Sequence, residues 1–364
     1  MQITLHSLPD QQVRIAQTSL TQLTQKLLQR AGLSQDRAHQ LANSLIEADL
    51  RGVHSHGVMR LPVYVRRLQQ KGFDALTEPE VIRETATTGL VDGHNCPGFF
   101  SASLAMDVAI KKAKETGVGV VSVRNSNHNG TGAQYVAKAT AANMIGIATS
   151  NASPIMPAWG GKTPVTGPLP LAIGAPANGD PVIMDMALGM SSRGKILQYA
   201  ERNHPLPDGW LVDANGNPTN DPHDLDKGGW IPPVGGHKGW GLILMCEILT
   251  GILSGGSVGQ DLTNLYDDLD TPQQNSHLMI AINIENFMDP KDFATRLERY
   301  LEFLRASEPA AGFNEILIPG DLEKRAQAKQ QQEGITLTQR TINEIIELAQ
   351  SLSFDLSVHT HAKS

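Results

Sequence analysis

Residues 117–153 read GVGVVSVRNSNHNGTGAQYVAKATAANMIGIATSNAS, and no other stretch restricts the fold as much. Apolar, Val- and Ile-rich runs occupy 118–123 and 145–150, and between them 131–142 has the spacing of an amphipathic helix. A strand, a crossover helix and a second strand imply parallel strands of one sheet, with the loops after both strands at the same edge. Ligands of open α/β sheets collect at that edge. Asn125, Asn127 and His128 follow the first strand, and Asn151 and Ser153 follow the second.

The flanks extend the pattern. LPLAIGAP at 169–176 and PVIMDMA at 181–187 read as two strands joined by ANGD, whose Asn-Gly pair signals a hairpin. Then come a helix at 189–201, a Gly-, Pro- and Asn-rich loop at 203–236, a strand at 277–284 and a helix at 290–306. A short strand EILIP at 315–319, two polar helices and a tail SVHTHAKS, expected to be mobile, end the chain. GLILMCEILTGIL at 241–253 is apolar on nearly every side, which predicts a buried helix. The first 70 residues read as helical. Leu20, Leu23 and Leu27 share a face, with Thr18 or Ser19 to cap its start and Gly32 to end it. A second helix runs from Ser34 to near Gly52, and a third from around Pro62 to near Gly72.

Composition narrows the function. The 364 residues are 40% hydrophobic, enough for two or three subdomains around sizeable cores, and there is neither an internal repeat nor a low-complexity linker. A net charge of −7 speaks against a nucleic-acid partner but leaves room for a small anionic substrate held by local arginines. Cys96 and Cys246 belong to no zinc or redox pair, the start MQITLHSLPDQQ lacks a signal-peptide pattern, and the 241–253 segment carries Glu247 and is too short to span a bilayer. These features fit a protein of the reducing cytoplasm with no membrane partner.

Chemistry concentrates in RGVHSHGVMR at 51–60 and in NSNHNG at 125–130. A neutral imidazole at His128 can take or give a proton near neutral pH, and His56 has Ser55 and Arg60 beside it, a hydroxyl and a guanidinium suited to a carboxylate. The competing reading makes Ser55 a cap for the third helix and both arginines surface residues. Metal binding by His54 and His56 lacks a third ligand, so no metal is expected. GVGVVS at 117–122 has Ser122 where a dinucleotide fingerprint needs its third glycine, and MPAWGGKT at 156–163 lacks the first glycine of a P-loop. GGHKG at 235–239 opens a helix and can hold a phosphate or carboxylate through backbone N–H groups and Lys238; IPGD at 318–321 can present a carboxylate to a ribose or merely turn the chain.

Taken in order, ADLRGVHSHGVMRLPVYVRRL, VRNSNHNGTGAQYV, VIMDMA, GGHKGWGLILMCEILTGILSGG and GFNEILIPGD resemble the malate/L-lactate dehydrogenase family, from about residue 15 to 350. The resemblance implies an α/β fold that binds NAD or NADP without the Rossmann fingerprint and has helical N- and C-terminal regions. Residues 1–80 with about 320–364 would form a substrate and dimerisation region, and 81–319 the cofactor-binding region, the two interleaved. Ser55 and His56 match substrate-site positions, the histidine serving as proton donor in some members, and His128 matches a proton acceptor. Asp185, Met186, Ala187, His237, Lys238, Gly320, Asp321 and Leu322 match cofactor contacts. The implied activity is interconversion of a small 2-hydroxy acid and its 2-oxo acid by a homodimer, with His128 removing the hydroxyl proton and Arg60 and Ser55 orienting the carboxylate. Members that reduce cyclic imines such as pyrroline-2-carboxylate supply the alternative. A metal-dependent hydrolase and a non-catalytic nicotinamide-nucleotide-binding protein are the readings outside this class. The last is prompted by a departure: Pro168 and Leu169 stand where relatives carry Thr-Asn.

Overall fold

The computed structural model describes residues 1–361. The last three residues of the expected C-terminal region lie outside the described residues. The chain divides into two compact units: one of Met1–Thr77, Leu269–Thr271 and the residues from Ala294 onward, the other of Glu78–Asp268 and Pro272–Phe293.

In the second unit the described residues form a seven-stranded sheet, ordered Val182–Ala187, Pro170–Ala175, Met144–Ser150, Asn275–Asn283, Val118–Ser126, Thr88–Asp92 and Glu80–Glu84. The unit expected at 117–153 is present, with its helix at Ala133–Ala141. Its two strands run in the same direction but are not neighbours: Asn275–Asn283 lies between them, antiparallel to both. The parallel neighbour of Val118–Ser126 is instead Thr88–Asp92, reached across the helix Gly98–Thr116.

That helix explains the Gly-x-Gly pair. Gly117 ends it in a left-handed conformation (φ +89), and a Cβ on Gly119 would lie 2.0 Å from the Ala109 carbonyl oxygen. The glycines serve helix termination and close helix-on-strand packing rather than a nucleotide. Val91, Val121, Val123, Met106, Ala109, Val136 and Met279 pack in the resulting core. Burying each Val side chain contributes roughly 1.5–3 kcal/mol.

The first unit contains the helices Gln17–Arg30, Gln35–Leu50, Leu61–Gln70, Asp321–Glu333 and Gln339–Ser351. The second helix begins where expected, and Ser34 caps it, its Oγ accepting the Arg37 N–H at 3.3 Å. The first begins earlier than its polar residues suggest. Its cap position is Ala16, with no side-chain hydrogen bond, because the chain enters directly from the strand Gln12–Ile15. The first 70 residues are therefore not wholly helical: Gln2–Leu8 and Gln12–Ile15 join Ile335–Thr338 and Ser357–His361 in a four-stranded sheet. Ser357–His361, expected to be mobile, pairs parallel with Gln2–Leu8 from Gln2↔Ser357 to His6↔His361. EILIP forms no strand, since its backbone finds no sheet edge to join.

One further expectation fails informatively. The apolar helix His237–Glu247, continued by a π-helical turn at Ile248–Ile252, is not buried within the chain. Met245, Ile252 and Leu253 are 52, 58 and 59% exposed, and only Gly239, Ile243 and Cys246 of His237–Glu247 are buried.

Candidate active site

In the first unit the site grows from the end of the helix Gln35–Leu50. Asp49, fully buried in its last turn, accepts the Val58 N–H at 2.7 Å through one carboxylate oxygen and meets His54 Nδ1 at 2.8 Å through the other. Two short 3-10 turns, His54–His56 and Val58–Arg60, are thereby folded back over the helix end. Gly57 joins them because nothing larger fits: a Cβ there would lie 2.2 Å from the Asp49 carboxylate. Gln330 from the helix Asp321–Glu333 donates to the carbonyls of Asp49 and Leu50, adding to the Gly52 N–H that the Asp49 carbonyl already accepts and so tying the helix end down.

Ser55, His56 and Arg60 are brought together by this fold. Ser55 Oγ lies 2.9 Å from His56 Nδ1, and Arg60 Nε donates to the Ser55 carbonyl at 2.6 Å. Ser55 is therefore no cap for the third helix, whose cap position, Arg60, has no side-chain cap. Burial, with the Arg60 charge adding to it, pushes the His56 imidazole down to about 3. At neutral pH the ring is uncharged, so what it can offer is the N–H and lone pair of a neutral imidazole. Tyr64, buried one turn beyond Arg60, has its hydroxyl pushed up by burial and stays neutral as well. His54 is committed to Asp49, and among the described residues no group of three or more His, Cys, Asp or Glu is arranged to hold a metal.

In the second unit His128 follows the strand Val118–Ser126 and is partly exposed. Its backbone N–H donates to Gln273 Oε1 at 3.0 Å, and its Nδ1 faces the Gly130 N–H at 3.4 Å. Asn127, buried beside it, donates to Asn95 Oδ1 and to the carbonyls of Asn95 and Cys96, and accepts the Gln273 N–H. His94, Asn95 and Asn125 all have left-handed backbone near this edge (φ +45, +61 and +51), a concentration of strain of the kind found at functional sites.

The residues matched to cofactor contacts fall into three places. Asp185, at the sheet edge, accepts the Ala133 N–H at 2.8 Å and so holds the start of the helix Ala133–Ala141; Met186 and Ala187 follow it, exposed. His237 and Lys238 are exposed in the first turn of their helix, behind Gly235 and Gly236 with φ of +62 and +65, and no side chain caps that turn. The exposed Trp159 ring lies 6.3 Å from the His237 ring. Open N–H groups, an ammonium and a flat apolar ring suit a phosphate-bearing nucleotide. In the first unit, Gly320 (φ +97) and Asp321 start a helix, and the Asp321 carboxylate is already engaged by the Ile318 N–H at 2.9 Å and by Arg305 at 3.1 Å, leaving Leu322 exposed.

The Leu169 half of the departure at 168–169 has a structural account. Leu169 is fully buried against Met156, Leu188, Ile243 and Cys246, so its side chain serves an apolar cluster. Asp49, Gln273 and His277 were missed in the sequence. Their signal is faint: a carboxylate in the last turn before the histidines, and a polar start to an apolar strand.

Comparison with known proteins points the same way. The family described as malate/L-lactate dehydrogenase matches residues 15–346. The chain is 36% identical to malate/(S)-sulfolactate dehydrogenase of Methanothermus fervidus, over 91% of this chain and 96% of that one. It is 35% identical to ureidoglycolate dehydrogenase (NAD(+)) of Escherichia coli, over 89% and 93%. The solved sulfolactate dehydrogenase of Methanocaldococcus jannaschii superposes with a TM-score of 0.88 at 35% identity, covering 93% of this chain and 97% of that one.

Proposed function

Because the chain belongs to the malate/L-lactate dehydrogenase family, we propose that it is an NAD(P)-dependent dehydrogenase that interconverts a small 2-hydroxy acid and its 2-oxo acid. The observation that carries this reading is the turn locked by Asp49, which holds Ser55, a neutral His56 and Arg60 as one group. A guanidinium and a hydroxyl held in this way suit a carboxylate. The bound nicotinamide supplies or accepts the hydride. In this reading Arg60 and Ser55 orient the carboxylate, His56 offers a neutral hydrogen bond, and His128 takes the hydroxyl proton during oxidation. Lys238 and the open first turn at His237 hold phosphate, with Asp185, Met186, Ala187, Gly320, Asp321 and Leu322 as further cofactor contacts.

Two wider features belong to the same reading. The exposed apolar face of His237–Glu247 and the turn after it fits burial against a second copy, and so a homodimer. No described helix is long and apolar enough to cross a membrane, and both cysteines are free and buried, which suits a cytoplasmic protein.

The test is a panel: oxidation of NADH and NADPH against oxaloacetate, pyruvate, sulfopyruvate and Δ1-pyrroline-2-carboxylate, with and without chelator. The expected outcome is chelator-insensitive turnover of a 2-oxo acid, abolished by His128→Ala between about pH 5 and 9. Near-wild-type turnover in that variant would remove His128 from its role; turnover of the imine alone would replace the substrate class.

A further inference from the structure

The two strands that lead to the loop edge end in the same pair, Ser126-Asn127 and Ser150-Asn151, and the segment between them engages both. His277, fully buried, places Nε2 2.8 Å from Ser126 Oγ and Nδ1 2.9 Å from Ser150 Oγ. Asn127 Oδ1 accepts the Gln273 N–H at 3.0 Å, and Asn151 Oδ1 accepts the Ser276 N–H at 2.7 Å. Residues 273–277 thus tie both strand ends into one buried polar network.

On the His128 side the network reaches one residue further. Gln273 returns the contact from Asn127: its Oε1 accepts the His128 N–H at 3.0 Å. A backbone N–H can only donate, so this bond fixes which end of the carboxamide is oxygen. Gln273 is 4% exposed, which leaves its side chain little freedom to move. The two bonds form a closed exchange between residues 127–128 and residue 273, and they set the backbone from which the imidazole projects.

We propose that Gln273 is a positioning residue for His128, acting through the backbone rather than on the substrate. The inference rests on the role proposed above for His128 as proton acceptor. Proton transfer depends on sub-ångström placement, whereas a carboxylate held elsewhere does not, so loss of the Gln273 acceptor acts on turnover and spares KM.

The experiment compares Gln273→Met, which keeps the bulk and removes the acceptor, with Gln273→Glu, which keeps the acceptor, using the best 2-hydroxy acid of the panel. Gln273→Met is expected to lower kcat about 10- to 100-fold with KM within about threefold, and to speed hydrogen exchange at the His128 amide. Gln273→Glu is expected to recover most of the lost turnover and the amide protection. Should Gln273→Met not fold, Gln273→Asn, which withdraws the acceptor by one methylene, gives the same comparison. Wild-type kcat without the acceptor, or equal impairment with and without it, overturns the proposal. His128→Ala run in parallel separates the two ideas. If it abolishes turnover while Gln273→Met keeps the wild-type kcat, the positioning role alone fails; if it leaves turnover intact, both fail.

Discussion

At the scale of single residues, much of the chemistry depends on groups that hold other groups. Gly57 is the sharpest case. An alanine there meets the Asp49 carboxylate at 2.2 Å, so Gly57→Ala must displace it and give up its bonds to His54 and Val58. A loss of roughly 1–3 kcal/mol is expected in urea unfolding, with substrate KM rising as Ser55 and Arg60 move. Gly179→Ala, with nothing within 4 Å of its new methyl, is the neutral control. Buried histidines give a second prediction. His277 in the fold titrates at about 3, pushed down by burial, whereas the unfolded chain binds that proton near pH 6.5. As pH falls from 6.5 towards 3 the unfolded state takes up the proton first, so stability is lost across that window, at up to about 1.4 kcal/mol per pH unit. His277→Gln, which can still bond both serines, should be less stable near neutral pH and show a flatter fall; equal slopes for the two proteins would refute the assignment. His56, titrating at about 3 as well, adds to the fall with the same sign.

At the scale of elements, local signals were legible and neighbourhoods were not. The helix Gln35–Leu50 could be read from Ser34 and its apolar stripe, and the strands at 118 and 144 from their β-branched runs, because those signals lie within a few residues. That Asn275–Asn283 inserts between those strands depends on pairing across more than a hundred residues, which no periodicity encodes. The strand Gln12–Ile15 hid in a similar way, as four residues running into a helix with no polar cap. The helix His237–Glu247 is a different kind of miss. Apolar residues on every side demand burial but do not say whether the cover comes from the same chain. With Leu242, Leu244, Met245, Ile252 and Leu253 exposed, a second copy is the proposed cover, and Leu244→Glu with Leu253→Glu should halve the mass seen by analytical ultracentrifugation. A wild-type chain that sediments as a monomer would defeat that reading outright.

For the molecule as a whole, the sequence yielded the family and the activity class because its motifs are local, and it withheld the way the ends of the chain are used. Ser55, His56, Arg60 and His128 could be named from short motifs, whereas Asp49 and Gln273, which hold them, are visible only once distant segments meet. The tail shows the same limit. SVHTH has the polar composition of a loose end, yet Ser357–His361 completes the edge of the sheet in which Gln2–Leu8 is already paired on its other side by Gln12–Ile15. The strand is secured by its partner's backbone, which composition cannot report. A chain ending at Leu356 should therefore lose protection at those alternate amides of Gln2–Leu8 that face the missing strand, while the amides facing Gln12–Ile15 stay slow. The central strand Asn275–Asn283, hydrogen-bonded on both sides in the other sheet, serves as the internal reference and should exchange as in the full chain. Unchanged protection along Gln2–Leu8 would mean that the terminal strand adds nothing to that sheet in solution.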